Sequence, residues 1–246
     1  MDIVVDELKY LFFVGSGRTG STLLGQILNN HPSCLIANEQ RFLQSVVDVK
    51  NNNFNNFNLE LKNLAEKAYS NYMNGLGKNF QYQKDWKDHS IKIKKNKIKF
   101  IGDKKQGGNA QVYRSNTELF KKLIEKIGEE KVYFIQIVRN PDASISSYQN
   151  SHNFDYETAK QKVLEDTKTG YDIIKKFKNG KIVYYEDLIL DPDKFLSNLV
   201  DYLEIECNKQ WYDSSIKVIN SNKDIMLSSN LKTSMELFEK YEKKNE

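Results

Sequence analysis

The sequence predicts an α/β fold, a three-layer sandwich in which helices cover a central, mostly parallel sheet of about five strands. Short apolar runs of strand length alternate along the chain with longer helical patterns. The first apolar run ends in a glycine-rich loop that leads directly into a helix. No segment approaches the roughly 20 apolar residues of a membrane span. Alternation of this kind favours parallel strands joined by helical crossovers.

The first unit along the chain is a strand, a loop, a helix and a second strand. Residues 10–15, YLFFVG, form a continuous apolar run that is typical of a buried strand. Residues 21–30 carry apolar side chains on one helical face, and Pro32 ends that helix. Residues 34–37, CLIA, predict the second strand.

Regular alternation resumes towards the middle of the chain. The further predicted strands lie at 97–102, 131–138 and 181–185. The further predicted helices lie at 110–128, 141–150, 155–178 and 192–204. The run KVYFIQIV at 131–138 has the strongest strand pattern, so we expect it near the centre of the sheet.

We expect one domain over residues 1–246. Residues 40–97 interrupt the alternation with the low-complexity stretch NNNFNNFN and with helical patterns at roughly 41–50 and 59–76. We interpret them as an insertion that lies over the functional site, and not as a separate domain. The tail from about residue 208 is expected to hold a loop rich in Ser and Asn and a charged terminal helix.

The composition argues against a nucleic-acid-binding or a membrane-associated protein. The chain has 246 residues, 39% of them hydrophobic, and a formal net charge of +4. Its 33 Lys, 4 Arg and 26 Asn are typical of an AT-rich coding sequence. The lysine surplus therefore indicates a solvated surface, and we expect neither a nucleic-acid partner nor a membrane. Because the composition is biased towards Lys, we expect Arg at positions where a planar, two-pronged hydrogen-bond donor is needed and a point charge does not suffice.

Two cysteines, Cys34 and Cys207, are too few for a disulfide framework or a zinc site. The first residues are acidic, and the apolar run after them leads into a glycine loop and not into a cleavage site. These features favour a cytoplasmic protein.

The loop after the first strand, GSGRTGST, has the spacing of a phosphate-binding loop. Gly15 and Gly20 are separated by four residues, and such a loop aims backbone N–H groups and a helix N-terminus at one anion. Loops that bind nucleoside triphosphates have Lys after the last glycine, where this chain has Ser21. The charge lies within the loop, on Arg18, and Thr22 adds a hydroxyl. The pattern predicts a P-loop-like anion site, and the alternative is an ordinary glycine turn.

A second anion site is predicted where the strand at 131–138 ends. Asn140, Pro141 and Asp142 suit the start of a helix. That role does not explain Arg139, which lies at the carboxyl end of a central strand, where α/β sheets bind ligands. With the Ser147 hydroxyl, its guanidinium would suit a phosphate monoester. A surface ion pair and a solvated helix face are the alternatives.

Two anion sites on one sheet, one of them a phosphate loop without its lysine, resemble those of the sulfotransferases that use 3′-phosphoadenosine 5′-phosphosulfate (PAPS). PAPS carries a 5′-phosphosulfate and a separate 3′-phosphate, so it needs two receptors. The matching segments occur in family order: Gly17-Arg18-Thr19-Gly20-Ser21-Thr22, His31-Pro32, Gly102-Asp103-Lys104, Arg139 with Ser147, and Tyr185-Glu186-Asp187-Leu188. The chain is most similar to the branch of tyrosylprotein and many bacterial sulfotransferases.

The resemblance implies a role for each matching residue. Glu39, 21 residues past Arg18, would be the general base, and Arg18 and Lys104 would stabilise the transferring sulfonate. The residues implied for PAPS binding are Gly17, Arg18, Thr19, Gly20, Ser21, Thr22, Arg139, Ser147 and Tyr185. The product would be adenosine 3′,5′-bisphosphate (PAP), and no metal would be required.

Some positions depart from the family's patterns. Lys105 and Gln106 stand where Thr-Pro commonly follows Gly-Asp-Lys. Gln106 also takes the place of the histidine that acts as base in the small-molecule branch, and an amide cannot accept the proton. Arg41, two residues after the candidate base, does match the tyrosylprotein branch.

The sequence therefore predicts a sulfotransferase that moves sulfonate from PAPS to a hydroxyl or amine of a small-molecule, sugar or peptide acceptor. Two alternatives stay open: a P-loop nucleotide kinase, and a non-catalytic PAP-binding module on the same fold. The tail residues Ser221, Ser228 and Ser229 are further candidates for contact with the sulfonate. The sequence does not indicate an oligomeric state.

Overall fold

The computed structural model describes residues 8–39, 41–47 and 98–226. Its strands are β1 (Lys9–Val14), β2 (Cys34–Asn38), β3 (Phe100–Lys104), β4 (Val132–Val138) and β5 (Gly180–Tyr184). They form one sheet in the order β2-β3-β1-β4-β5, and every neighbouring pair is parallel. The predicted α/β fold with five parallel strands is confirmed.

Helices connect the strands. They are α1 (Ser21–Asn29), α2 (Phe42–Val47), α3 (Gln106–Ser115), α4 (Thr117–Ile127), α5 (Pro141–His152), α6 (Tyr156–Lys176), α7 (Tyr185–Leu190), α8 (Pro192–Leu203) and α9 (Lys209–Met226). A single 3₁₀ turn at Glu129–Lys131 precedes β4. Within the described ranges, no helix has the length and apolar character that crossing a bilayer demands.

Two apolar cores lie on opposite faces of the sheet, because successive side chains of a strand point to opposite faces. Phe12 of β1 belongs to the first core, in which Phe120 of α4 and Phe134 of β4 also lie. Phe13 belongs to the second core, together with residues of α1, α7, α8 and α9. In that core the fully buried Trp211 donates from its indole nitrogen to the carbonyl of Ile27, 2.8 Å away. This arrangement is the predicted three-layer sandwich.

Two predicted elements differ from the structure because of strand register and capping. The strand predicted at 97–102 is observed at Phe100–Lys104, since parallel pairing with β1 sets Lys9 opposite Phe100. The helix predicted at 110–128 is two helices. Asn116 separates them with a non-helical backbone, φ −158° and ψ 80°, and its side chain accepts a hydrogen bond from the backbone N–H of Leu119.

Two helices were not predicted. Residues 209–226 form α9, where a loop rich in Ser and Asn was expected, and the burial of Trp211 explains why this segment packs against α1. The predicted strand at 181–185 ends at Tyr184, and Tyr185 begins α7. Residues 48–97, which hold most of the predicted insertion, and residues 227–246 lie outside the described residues.

Gly102 allows the close approach of β3 to its neighbours. A Cβ atom at this position would lie 2.0 Å from the carbonyl oxygen of Leu11 in β1 and 3.0 Å from Cδ1 of Ile36 in β2. The distance to the Leu11 backbone is far too short for any side chain, and the distance to Ile36 would require the isoleucine side chain to shift. The carboxyl end of β3 therefore reaches its place in the sheet only because residue 102 is glycine.

Gly102→Ala is expected to lower the free energy of unfolding by about 3 kcal/mol or more, because the new methyl group must separate β3 from β1. Gly25→Ala is the matched control. A Cβ there would meet Lys104 Cγ at 3.9 Å, an ordinary contact, and alanine is favoured over glycine inside a helix by about 1 kcal/mol. Urea denaturation compares the two variants, and equal stabilities would contradict the close approach.

Candidate active site

The carboxyl ends of the strands open into one cleft. Its volume is about 980 Å³, and it is bounded by the loop after β1, the ends of β2, β3 and β4, and the starts of α3 and α7. Ten of the predicted site residues line this cleft: Gly17, Arg18, Gly20, Ser21, Thr22, Glu39, Lys104, Arg139, Ser147 and Tyr185. Thr19 is the predicted residue that does not. The structure thus brings residues that are distant in the sequence together around one cleft.

The loop between β1 and α1 presents a helix N-terminus to the cleft. Gly15 and Gly20 both have φ of 94°, in the region that glycine adopts readily. Gly20 is the N-cap of α1 and makes no side-chain capping hydrogen bond. The first turn of α1 therefore has N–H groups that no capping side chain accepts, and Ser21 and Thr22 line the cleft beside them. Such an N-terminus suits an anion.

Gln106 stabilises this loop through side-chain hydrogen bonds. The Thr19 hydroxyl lies 3.1 Å from Oε1 of Gln106 and 3.2 Å from the carbonyl oxygen of Ser16. The Gln106 amide in turn donates to the carbonyl of Val14, 3.4 Å away. Thr19 is 3% exposed, and both contacts of its hydroxyl are to protein groups, so the hydroxyl faces the protein and not the cleft. Gln106 is thus part of the framework of the loop, a role that sequence reasoning missed.

Tyr148 also packs against the loop and was not predicted. A Cβ on Gly17 would lie 2.7 Å from the Tyr148 hydroxyl oxygen, so glycine leaves room for this contact. Burial raises the pKa of the Tyr148 hydroxyl above its ordinary value. Nothing in the spacing of the sequence distinguishes this tyrosine from a core residue.

Glu39 and two consecutive lysines form an ion cluster where β2 and β3 end. Lys104 Nζ lies 3.2 Å from Oε1 of Glu39, and Lys105 Nζ lies 2.8 Å from Oε2. Lys104 Nζ also donates to the hydroxyl of Thr22, at 3.3 Å. The Lys104 side chain is 10% exposed, whereas the Glu39 side chain is 47% exposed. The cluster joins the loop between β1 and α1, which we call the phosphate-type loop, to a carboxylate that faces the cleft.

The lysines control the ionisation of the carboxylate. Partial burial by itself would raise the pKa of Glu39, but the hydrogen bonds and charges of Lys105 and Lys104 outweigh burial and hold that pKa below its ordinary value. Burial lowers the pKa of Lys104, and the Glu39 carboxylate offsets part of that shift. Glu39 is therefore ionised at neutral pH and able to accept a proton.

The backbone around these residues is strained. Arg18, Glu39 and Arg41 have φ of 63°, 56° and 56°, in the left-handed region. That conformation costs residues with a Cβ about 1–2 kcal/mol each. All three line the cleft. Strain of this kind is concentrated at functional sites, where the surrounding contacts hold it in place.

Asp103, the middle residue of the Gly-Asp-Lys segment, has a structural role. Its side chain is fully buried, and Oδ2 accepts a hydrogen bond of 3.0 Å from the backbone N–H of Phe42, the first residue of α2. Gly102 allows the strand packing, Asp103 anchors α2, and Lys104 reaches Glu39. Sequence reasoning matched all three residues to the family's pattern but assigned a role to Lys104 alone.

The second predicted anion site lies beside the first. The Arg139 guanidinium carbon is 4.7 Å from the centre of the Tyr185 ring, a cation–π contact that orients the side chain. Ser147 Oγ accepts a hydrogen bond of 2.9 Å from Nε of Arg18. The residue predicted for a 3′-phosphate thus contacts the arginine predicted for a sulfonate.

The turn that carries Arg139 is fixed by buried groups. Asn140 caps α5 as predicted, because its Oδ1 accepts from the backbone N–H groups of Asp142 and Ala143 at 2.9 and 3.3 Å. The backbone N–H of Asn140 donates to Oε1 of Glu186, at 2.8 Å. Glu186 therefore ties the start of α7 to the end of β4.

Other residues considered in the sequence have simpler roles or are not described. His31 stacks edge-on against Trp211 at 5.2 Å and hydrogen-bonds the carbonyl of Glu206, which is a structural position. Ser221 lies in α9, and Ser228 and Ser229 lie outside the described residues. No cluster of three His, Cys, Asp or Glu side chains suited to a metal ion occurs in residues 8–39, 41–47 and 98–226.

Comparison with known proteins identifies the family. A family model described as "Sulfotransferase family" matches residues 11–209. No curated protein matches the sequence. Among solved structures, the chain is similar to the sulfotransferase domain from the curacin biosynthetic pathway, with 20% identity, a TM-score of 0.51, and coverage of 83% of this chain and 76% of that one. This likeness supports the same fold.

Two further solved structures are also similar. The sulfotransferase domain of the Synechococcus PCC 7002 olefin synthase has 19% identity and a TM-score of 0.49, with coverage of 83% of this chain and 76% of that one. A mouse sulfotransferase complexed with PAP has 16% identity and a TM-score of 0.45, with coverage of 92% and 70%.

Gly20→Ala is expected to weaken PAP binding at least about tenfold, or about 1.4 kcal/mol. A Cβ there would lie 2.3 Å from Cδ2 of the buried Tyr185 ring, and alanine disfavours a φ of 94°. The loop would therefore have to move. Calorimetric titration measures the affinity, with Gly25→Ala in the same helix as the control. Equal affinities for the two variants would remove Gly20 from the binding loop.

Proposed function

This chain belongs to the sulfotransferase family of PAPS-dependent enzymes, and we propose that its cleft holds PAPS at two separate phosphate sites, with Glu39 as the general base. The reaction moves sulfonate to a hydroxyl or amine of an acceptor.

The observation that carries the proposal is the position of Lys104. One buried ammonium group lies within 3.3 Å of Thr22 on the phosphate-type loop and 3.2 Å of Glu39. A base and a donor site must adjoin for transfer to an acceptor oxygen, since both must reach the same reacting centre. Lys104 is the group that joins them.

The residues present fit a nucleotide with two phosphate groups. The uncapped N-terminus of α1, with Ser21 and Thr22, would hold the 5′-phosphate through N–H groups and hydroxyls. Tyr148 and Tyr185 pack into the space that side chains at positions 17 and 20 would need, which fixes the shape of the loop. Thr19 would contribute its backbone N–H. When bound, PAPS supplies the sulfonate group and a bisphosphorylated leaving group.

The 3′-phosphate would be held by Arg139 and Ser147. The guanidinium of Arg139 offers a planar pair of donors, and the Ser147 hydroxyl lies in the same cleft. Tyr185, which packs against both Arg139 and the loop at Gly20, would border the adenosine. Ser147 now accepts a hydrogen bond from Arg18, so that bond would be exchanged when a phosphate binds.

Positioning and electrostatics supply most of the rate in transfers of this kind. Glu39 would take the proton of the acceptor hydroxyl as the acceptor oxygen bonds to sulfur. Arg18 and Lys104 would neutralise the negative charge that develops on the sulfonate and on the departing phosphate oxygen. The chain's own residues therefore provide an anion site, two cations and a base, and none of these roles requires a metal.

A P-loop nucleotide kinase is the alternative from related chemistry, but it needs a lysine where this chain has Ser21, and nothing in the described part of the chain favours it. A non-catalytic PAP-binding module would bind PAP without turnover. We propose a small-molecule, sugar or peptide acceptor and a cytoplasmic enzyme that requires neither nucleic acid nor a membrane. The lysine-rich composition supports the absence of a nucleic-acid partner, and the N-terminal residues support the cytoplasmic assignment.

Glu39→Gln is expected to reduce sulfuryl transfer by roughly 10²–10⁴-fold, the contribution of a general base, and to leave PAP affinity within about twofold, or about 0.4 kcal/mol. The amide keeps the shape of the side chain but cannot take the proton. PAP release from PAPS is measured with p-nitrophenol, a tyrosine-containing peptide and an amino sugar as acceptors.

Glu118→Gln is the matched control, since Glu118 pairs with Lys121 on the exposed side of α4. Turnover near the wild-type value in Glu39→Gln would show that Glu39 is not the base. Wild-type protein that binds PAP and turns over none of the acceptors would favour the non-catalytic module.

A further inference from the structure

Glu39 is held by a second lysine that has no counterpart in the usual family pattern. Lys105 follows the Gly-Asp-Lys segment where threonine is common. Its ammonium group lies 2.8 Å from Oε2 of Glu39, a shorter contact than the 3.2 Å between Lys104 and Oε1. Each carboxylate oxygen is therefore bound by a different lysine.

The two lysines have different environments. Lys104 is also bonded to Thr22, so it belongs to the phosphate-type loop as well as to Glu39. The side chain of Lys105 is 23% exposed, against 10% for Lys104, and its ammonium group is directed to Glu39. Lys104 is thus shared between two tasks, whereas the ammonium contact of Lys105 is to the carboxylate.

Gly108 makes the Lys105 contact possible. Lys105 is the N-cap of α3, and its side chain passes close to Gly108 in the first turn of that helix. A Cβ on Gly108 would lie 2.6 Å from Cγ and 3.2 Å from Cε of Lys105. The absence of a side chain at position 108 therefore leaves the space through which Lys105 reaches Glu39.

Glu39 needs such support because its backbone and side chain are both unfavourably placed. It has a left-handed φ of 56°, and Arg41, two residues further on, has the same value. Its backbone N–H donates to the carbonyl of Lys104 at 3.2 Å, while the carboxylate is half-exposed and could rotate away. Two hydrogen bonds to lysine limit that rotation.

We propose that Lys105 is a positioning residue for Glu39, holding Oε2 so that Oε1 is the oxygen that takes the acceptor proton when Lys104 serves the donor site. This inference rests on the proposed role of Glu39 as the general base. The proton moves from the acceptor hydroxyl to Oε1, and Lys105 keeps its own protons throughout.

The charges around Glu39 determine the direction in which the loss of Lys105 would shift the pKa of Glu39. In the described ranges, Lys104 and Lys105 face its carboxylate, Arg41 lines the same cleft, and the carboxylate of Asp103 acts on Lys104. Burial raises the pKa of Glu39, and the lysines more than offset it. Without Lys105 the raising effect of burial is opposed by Lys104 alone, so Glu39 would take up a proton at higher pH.

Nuclear magnetic resonance of protein labelled with ¹³C at the glutamate carboxyl groups tests the proposal without requiring an acceptor. The Glu39 signal is identified by its loss in Glu39→Gln. Lys105→Met is expected to move the titration of that signal to higher pH, while Lys105→Arg keeps it near the wild-type value. Gly108→Ala, which retains the lysine but displaces its stem, is expected to move it in the same direction as Lys105→Met.

Lys121→Met, on the exposed face of α4, is the matched control and should leave the Glu39 titration unchanged. A titration in Lys105→Met that coincides with the wild type would overturn the proposal. Failure of the general-base role is read separately, as retained transfer by Glu39→Gln. In the transfer assay, the acid limb of the kcat profile is expected to move to higher pH in Lys105→Met, together with the carboxyl signal.

Discussion

The contacts of Lys104 are those on which the rest of the site depends. The register of the sheet places this residue, because Asn38 of β2 lies opposite Lys104 of β3 and Glu39 follows directly. A shift of the register by one residue would turn the lysine to the other face of the sheet. Burial of the ammonium group also makes partners necessary, since an unpaired buried charge is costly. Thr22 and Glu39 supply those partners from two different elements.

Close packing and strain together maintain this arrangement. Gly102 brings β3 against β1, and the bare backbone of Gly20 accepts the Tyr185 ring. Arg18 and Glu39 retain left-handed conformations that cost stability. A protein under selection for stability alone would place glycine or asparagine at such positions. The retained strain is consistent with side chains that are required in the cleft.

The sequence predicted most of the fold because its strands are short, continuous apolar runs. It also predicted which residues would meet, since residues at the carboxyl ends of parallel strands share one edge. It did not predict α9, because the burial of Trp211 against the carbonyl of Ile27 is a tertiary contact that local pattern does not reveal. Thr19 faces Gln106, an orientation set by a residue 87 positions away. Lys105 departs from the family's pattern, but it is one of 33 lysines and the departure by itself does not predict a contact with Glu39.

Calorimetric titration with PAP in the presence of a chelator, compared with titration by magnesium ATP, tests the account most directly. The two proposed phosphate sites, and a loop with Ser21 in place of lysine, predict tight binding of PAP without metal and little heat from magnesium ATP. Binding of magnesium ATP together with no measurable binding of PAP would contradict the account.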